Sequence, residues 1–261
     1  MHTHTRAQTH IFKPGTYNDT TDVAIKTLIP EKSNKEKFLE EAKFLQKMNH
    51  KNMVQIMGVC SEGEPVFIIM EFVELGSLRN YLHNDRGKTI KFKTLLDIAA
   101  QIASGMTYIE QNNFIHRDLR SVNCLVGRNK AIKIADFGLA KIQEIYNANA
   151  ETPFPVRWTP PEAIEFQRFS IKSDVWSYGV VLFELVTYGE SPYEREAFLN
   201  DGKRLSNPSV KFTKQHKKYY CPDSMYKKML DCWNKNPDKR PTFVKLSEFF
   251  ESFYESCEED D

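Results

Sequence analysis

One short stretch of this sequence concentrates side chains that could handle a proton and a cation. FIHRDLRSVNCLV, from Phe114 to Val126, holds Asp118 and Asn123 between two apolar flanks. Thirteen residues after Asn123, the triplet DFG supplies a further carboxylate, Asp136. Magnesium prefers oxygen ligands and keeps some water or phosphate oxygens of its own. Asn123 and Asp136 therefore suit a magnesium site, and Asp118 is left to accept a proton from a hydroxyl group.

The elements that must position these groups change in character along the chain. TDVAIKTLI and PVFIIMEF favour strands, because they are rich in β-branched and aromatic residues. Between them, EKSNKEKFLEEAKFLQKM places Phe38, Ala42 and Leu45 at helical spacing. The first third of the chain is thus predicted to be rich in strands, with one helix.

After Gly76 the helical patterns dominate. The stretch DVWSYGVVLFELV is apolar nearly all round, which predicts a buried helix. An amphipathic helix is expected from Thr242 to Phe253, and another apolar stripe is formed by Leu95, Ile98, Ile102 and Ile109. We therefore expect an α+β protein of two lobes with a cleft between them.

Composition excludes several classes of protein. The chain has 261 residues, is 41% hydrophobic and carries a net charge of +1, so nothing suggests a nucleic-acid partner or an anionic membrane. Five cysteines without a CxxC pair fit a reduced intracellular protein. The polar start MHTHTRAQTH predicts no signal peptide, and His2 in place of glycine predicts no myristoylation there. With no apolar run near 18 residues, we expect a cytoplasmic protein that reaches the inner face of the plasma membrane only through partners.

Taken together, the motifs resemble those of the protein kinases. HRDLRSVN is similar to the H-R-D-L-x-x-x-N catalytic loop, and DFG and VAIK (23–26) match further signatures in the family's order. The resemblance covers about residues 12–254. It implies a bilobal protein-kinase-like fold in one domain, residues 1–261, with ATP and Mg²⁺ as cofactors. The small β-rich N-lobe, which looks truncated, would span about 1–70, the hinge 71–76, the mainly α-helical C-lobe about 77–254 and an acidic tail 255–261.

The resemblance also implies a role for each matching residue. Asp118 would deprotonate the substrate hydroxyl, with Arg120 and Lys26 completing the catalytic group, and Asn123 and Asp136 would hold the metal. Met70 would be the gatekeeper of the adenine site. Lys26 would contact the ATP phosphates and pair with Glu41. Two structural contacts are expected, Glu162 with Arg240 and Asp174 with the catalytic loop. The implied ATP-binding residues are Ala24, Lys26, Glu41, Met70, Glu71, Val73 and Leu125.

Two segments are similar to tyrosine kinases rather than serine/threonine kinases. Arg120 stands where serine/threonine kinases usually have lysine, and FPVRWTPPEAI (154–164) resembles the form that accepts a phenol ring. A non-receptor, Src-like kinase is implied, which would phosphorylate tyrosines of proteins in intracellular signalling, although NCLV leans towards related branches. Tyr146 matches the activation-loop tyrosine, with Arg117 as the partner of its phosphate; an exposed tyrosine without that role is the alternative.

The sequence departs from the family pattern at its start. Aligning the G-x-G-x-x-G-x-V motif places Thr5, Ala7 and His10 at the glycine positions. Glycine is used there because the backbone approaches phosphate closely. Either the sequence is N-terminally incomplete, or nucleotide binding is impaired and the chain is a kinase-fold scaffold. Pro160 replaces the usual alanine of A-P-E, residues 194–220 form an unusual polar stretch, and no Src-homology domain is recognisable.

Overall fold

The computed structural model describes residues 10–18, 20–28, 35–85, 89–142, 145–148, 154–192, 204–210 and 219–257. Strands and helices occur in the expected order, and the expected α+β fold class is confirmed. The strands are β1 His10–Tyr17, β2 Thr21–Leu28, β3 Ile56–Cys60, β4 Phe67–Glu71, β5 Phe114–Ile115, β6 Cys124–Val126, β7 Ile132–Ile134, β8 Lys141–Ile142, β9 Ile145–Asn147 and β10 Arg168–Ser170. The helices are α1 Lys35–Gln46, α2 Leu78–Asp85, α3 Phe92–Gln111, α4 Pro161–Phe166, α5 Ile171–Val186, α6 Asp223–Cys232 and α7 Phe243–Ser256.

The first four strands form one antiparallel sheet in the order β1-β2-β4-β3. In its register Ala24 pairs with Met70, and Lys26 pairs with Ile68. Since side chains alternate between the two faces of a sheet, these four residues share one face. The sheet therefore presents the lysine and the expected gatekeeper to the same side.

A strand does precede the lysine strand, because β1 pairs with β2 over its whole length, from His10 opposite Leu28 to Tyr17 opposite Thr21. His10, one of the three expected glycine positions, begins β1. The other two, Thr5 and Ala7, lie outside the described residues, so the predicted lack of a phosphate cover stays a prediction. Most of the unusual stretch 194–220 also lies outside them.

Helix α1 forms where the helical spacing predicted it, and its Phe38, Ala42 and Leu45 are all buried. The backbone of Glu41 forms part of this helix, but the Glu41 side chain lies outside the described part of the structure. The predicted pair between Lys26 and Glu41 is therefore untested.

The helical part of the molecule is built around α5, which is buried from Ser173 to Val186. A capping box formed by Ser170 and Ser173 begins this helix. The side chain of each serine accepts a hydrogen bond from a backbone N–H group of the first turn. Gly179 lets α5 approach the end of α6, because a Cβ there would lie 2.7 Å from Trp233 Nε1. The Tyr178 hydroxyl donates to the carbonyl of Ala99 at 2.9 Å and ties α5 to α3.

Two further helical expectations for this part are confirmed. The four residues of the apolar stripe on α3 are buried, and Thr242 caps α7 by accepting a hydrogen bond from the Lys245 amide. Within the described ranges, no helix is both long and apolar enough to cross a membrane.

Candidate active site

The loop that carries Asp118 is held from below by one buried carboxylate, Asp174 of α5. Its oxygens accept the backbone N–H groups of His116 at 2.7 Å and Arg117 at 2.9 Å. Burial raises the pKa of Asp174 to about 7, while these two hydrogen bonds act in the opposite direction. The expected anchoring of the catalytic loop by Asp174 is confirmed.

His116 lies in the interior of this loop and is fully buried. Its Nε2 is 3.2 Å from the carbonyl oxygen of Ala135, and its Nδ1 accepts the backbone N–H of Asp118. The ring packs edge-on against Phe137, with 4.9 Å between ring centroids. Burial lowers the pKa of His116 to about 4, so the imidazole is neutral at pH 7. His116 therefore packs and positions, as expected, and has no role as a base.

Asp118 is buried and faces the guanidinium of Arg120. Arg120 Nε lies 2.7 Å from Oδ1 of Asp118, and Nη2 donates to Oδ2 at 3.2 Å. The same guanidinium lies over the indole of Trp158, 5.4 Å from the ring centroid. Arg120 thereby fixes the orientation of the carboxylate, whose ionised form is the one that can accept a proton.

The backbone of the two expected metal ligands is brought close by the short ladder of β6 and β7. The Ala135 N–H donates to the Asn123 carbonyl at 2.8 Å, which brings Asp136, the next residue, beside Asn123. The Asn123 amide nitrogen donates to the Asp118 carbonyl at 2.7 Å, so its Oδ1 is the atom suited to a cation. Since no three His, Cys, Asp or Glu side chains gather within the described ranges, a cation would take its other ligands from water and phosphate. That division suits Mg²⁺.

Lys26 is buried on the sheet face that it shares with Met70, and its side chain extends towards Asp136. Its Nζ lies 3.8 Å from Oδ1 of Asp136. Asp136 has φ of 59°, and Arg117 has φ of 68°, both in the left-handed region that non-glycine residues rarely adopt. Two such residues in neighbouring loops indicate local strain held by the surrounding contacts, a pattern that is common at functional sites.

The segment expected to meet adenine follows β4. The Glu71 side chain is engaged by its neighbours, since it accepts the Gln55 N–H at 2.7 Å and pairs with Lys133 at 2.9 Å. After Val73, the Leu75 N–H donates a hydrogen bond to the Val126 carbonyl at 2.9 Å and joins the segment to β6. Ala24, on the sheet, and Leu125, on β6, are both partly buried. Nothing in these contacts conflicts with a hinge at this position.

Arg117 and the unmodified Tyr146 are in contact, while the predicted pairing of Arg117 with a phosphate on Tyr146 stays a prediction. The guanidinium carbon of Arg117 lies 4.2 Å from the centroid of the Tyr146 ring and 4.6 Å from that of Phe169. Strand β9 pairs with β10 and sets Tyr146 opposite Phe169. Arg117 Nη1 donates to the Leu139 carbonyl, whereas its buried Nε and Nη2 make no hydrogen bond within the described residues.

The segment from Phe154 to Glu162 lies beside the catalytic loop and is anchored in its middle and at its end. Glu162 forms a two-pronged pair with Arg240, at 2.6 and 3.0 Å, which confirms the expected contact. Trp158 donates its indole N–H to Glu184 of α5 at 3.0 Å. We call residues 154–162 the platform.

Sequence reasoning missed Glu184. It accepts hydrogen bonds from the catalytic loop as well as from the platform, through Ser121 and Trp158. A signal was present, because Glu184 is an acidic residue within an otherwise apolar helical stretch. An acid in such a helix must find partners, since an unpaired buried carboxylate is strongly unfavourable.

The carboxylates of Asp118 and Asp136, together with Asn123 and the buried Lys26, thus lie between a small sheet and a helical body, an arrangement suited to phosphoryl transfer. The chain matches the family described as protein tyrosine and serine/threonine kinase over residues 5–250. It is 44% identical to tyrosine-protein kinase SRK3 of Spongilla lacustris, over 94% of this chain and 73% of that protein. It is 42% identical to tyrosine-protein kinase FRK of Homo sapiens, over 93% of this chain and 48% of that protein.

The chain therefore belongs to the protein kinase family. Both relatives are tyrosine-protein kinases, and the resemblance to tyrosine kinases stated from the sequence is confirmed. The chain spans about half the length of the human relative and about three quarters of the other.

Proposed function

We propose that this chain is an ATP-dependent protein tyrosine kinase whose own residues carry the catalytic apparatus. The observation that carries the proposal is the convergence of three charged groups: Asp118 paired with Arg120, Asp136 brought beside Asn123, and Lys26 3.8 Å from Asp136. Each group matches one requirement of phosphoryl transfer: proton acceptor, metal ligand and phosphate contact.

In the reaction, the tyrosine oxygen attacks the γ-phosphorus of ATP while the bond to the β–γ bridging oxygen breaks and ADP leaves. Asp118 orients the hydroxyl and takes its proton. Lys26 contacts the α and β phosphates, with Glu41 as its partner. Asn123 and Asp136 would hold Mg²⁺, which when bound would supply positive charge to neutralise the phosphates. The adenine would lie between Ala24 and Leu125, beside the gatekeeper Met70, and meet the backbone of Glu71 and Val73.

The preference for tyrosine is supported by Arg120 and Trp158. Arg120 lies between the catalytic carboxylate and the indole ring, in contact with both. The platform thereby stands at a fixed place relative to Asp118, and a long phenol side chain resting on it can bring its oxygen to the carboxylate. A short serine side chain would leave its hydroxyl further away.

The direct test is transfer of radiolabelled phosphate from Mg-ATP to a tyrosine-containing copolymer. Asp118→Asn keeps the size of the side chain and should lower turnover by ~10²–10⁴-fold, the usual contribution of a positioned base. Asp231→Asn is the matched control, because this partly exposed carboxylate on α6 is paired with Lys228 among the described residues. Near-parental activity of Asp118→Asn on peptide tyrosine would refute the assigned role.

Tyr146 is proposed as the main autophosphorylation site. A phosphate there adds ~1.5–2 negative charges, and the buried Nε and Nη2 of Arg117 are donors suited to it. Phosphopeptide mapping after incubation with Mg-ATP should find the label on Tyr146, and Tyr146→Phe should block activation. Label elsewhere, together with normal activation of Tyr146→Phe, would contradict the proposal.

A second candidate function is a kinase-fold scaffold that binds nucleotide weakly. Thr5, Ala7 and His10 at the glycine positions favour it. Each lost hydrogen bond to a charged phosphate weakens binding by ~1.5–3 kcal/mol, so two would weaken ATP binding by roughly 10²-fold or more. Titration calorimetry with Mg-ATP separates the two, because micromolar affinity contradicts the scaffold.

The proposal includes a cytoplasmic location, with ATP and tyrosine-containing proteins as partners. The five cysteines support a reducing compartment, since none forms a disulfide in the structure. Labelling of the five thiols in intact cells, without prior reduction, is the corresponding test.

A further inference from the structure

One buried carboxylate gathers three hydrogen bonds from two separate segments of the active site. Glu184 Oε1 accepts the Ser121 hydroxyl at 2.6 Å, and Oε2 accepts the Ser121 backbone N–H at 3.0 Å. Oε2 also accepts the indole N–H of Trp158 at 3.0 Å. Glu184 itself is only 1% exposed. The catalytic loop and the platform thus meet on the same two oxygen atoms.

The chemistry of the three partners defines what is needed at this position. All three act as donors, and an ionised carboxylate is the side chain that accepts on every lone pair. Burial raises the pKa of Glu184, and the hydrogen bonds from Ser121 and Trp158 oppose that rise. An apolar residue of similar size would leave the Ser121 N–H and the Trp158 indole N–H without partners inside the protein.

The contacts also close into a ring. Asp118 pairs with Arg120, and the Arg120 guanidinium lies over the ring of Trp158. Trp158 donates a hydrogen bond to Glu184. Glu184 in turn accepts one from Ser121, which follows Asp118 by three residues. The ring contains the proton acceptor and the platform. It contains neither Lys26 nor Asn123, which serve the nucleotide side of the site.

We propose that Glu184 is a positioning residue for the protein substrate, which fixes the platform to the catalytic loop so that the acceptor tyrosine meets Asp118. The inference deepens the proposed kinase function and rests on it. The Ser121 hydroxyl can be removed by mutation. Its loss takes away one hydrogen bond to Glu184 and leaves the bond from the Ser121 backbone N–H in place. Changes to the ring should alter the use of the protein substrate and leave nucleotide binding unchanged.

Ser121→Ala tests this with little risk to folding. We expect kcat/KM for a tyrosine peptide to fall three- to tenfold (~0.7–1.4 kcal/mol), the size of one typical hydrogen bond, while the KM for ATP changes less than twofold. Thr187→Val is the matched control, because it removes a buried hydroxyl just after α5. Among the described residues, that hydroxyl donates to the backbone carbonyls of Phe183 at 2.7 Å and Glu184 at 3.5 Å. Equal peptide kinetics for the two variants, or equal losses for peptide and ATP in Ser121→Ala, would overturn the inference.

A measurement that does not depend on activity separates this inference from the proposed function. The chain has three tryptophans, so an ¹⁵N spectrum of the indole groups is simple, and Trp158→Phe identifies the signal of Trp158. Ser121→Ala and Glu184→Gln should shift that signal, whereas Thr187→Val should not. An unmoved signal overturns the inference even in an active kinase. If the parent chain transfers no phosphate, the proposed function fails while the shift still decides whether the two segments are coupled.

Discussion

Arg240 offers the sharpest test of how the platform is held. Its side chain is fully buried and donates four hydrogen bonds: two to Glu162, one to the Asn234 carbonyl and one to the Lys172 carbonyl. Arg240→Lys keeps the charge but replaces a rigid planar fork by a single ammonium group. A lysine in this position cannot reach all four acceptors, and at least two of the bonds should be lost.

The magnitude follows from those losses. A typical hydrogen bond contributes ~0.5–1.5 kcal/mol, and one to a charged group more; Glu162 is 24% exposed, so its share is reduced by solvent screening. We therefore expect the free energy of unfolding to fall by ~2–3 kcal/mol. For a domain of this size that lowers Tm by ~4–12 °C, at ~2–4 °C per kcal/mol.

Calorimetry or urea unfolding measures the effect, and the chain contains a matched control. Arg128 pairs with Glu74 at 2.8 Å in a similar way, but its side chain is 84% exposed. Arg128→Lys should therefore change stability by less than ~0.5 kcal/mol. If Arg240→Lys lowers Tm no more than Arg128→Lys does, the buried pair does not hold the platform and the reasoning is wrong.

Three further predictions concern buried polar groups. Burial lowers the pKa of His116 to about 4. Its contribution to the free energy of unfolding is therefore present above pH ~6.5 and is lost on acidification through pH ~4. In that window, the stability advantage of the parent over His116→Phe, measured by urea unfolding, should shrink by up to ~1.4 kcal/mol per pH unit. For Asp174 the pH dependence of stability has the opposite sign, because its pKa is raised to about 7. Its contribution to the free energy of unfolding is present below pH ~4 and is lost as pH rises to ~7. The stability advantage of the parent over Asp174→Asn should therefore shrink with rising pH, and a constant difference would contradict the assignment. Tyr178→Phe removes the hydroxyl bonded to Ala99 and should lower the free energy of unfolding by ~1–2 kcal/mol with kcat unchanged; a loss of activity without a loss of stability would count against a purely structural role.

The sequence by itself determined most of the framework of this protein. The β-branched runs of β2 and β4, the helical spacing on α1 and α3 and the apolar run of α5 all form where their patterns predicted. Such patterns are local properties, since side-chain periodicity reflects the geometry of one element and its burial. The order of the HRD, DFG and VAIK motifs likewise defined the family and the residues expected in its site.

Only the tertiary structure decided which of those residues touch. The bonds of Glu184 to Ser121 span 63 positions, and those of Asp174 to the catalytic loop span 57 and 58. Periodicity carries no information about contacts over such distances, because they depend on how α5 lies under two loops. The left-handed backbone at Arg117 and Asp136 is likewise invisible in the sequence, since both residue types ordinarily adopt other conformations. The motifs therefore named the candidate catalytic groups, while hydrogen bonds to one buried helix joined the catalytic loop to the platform.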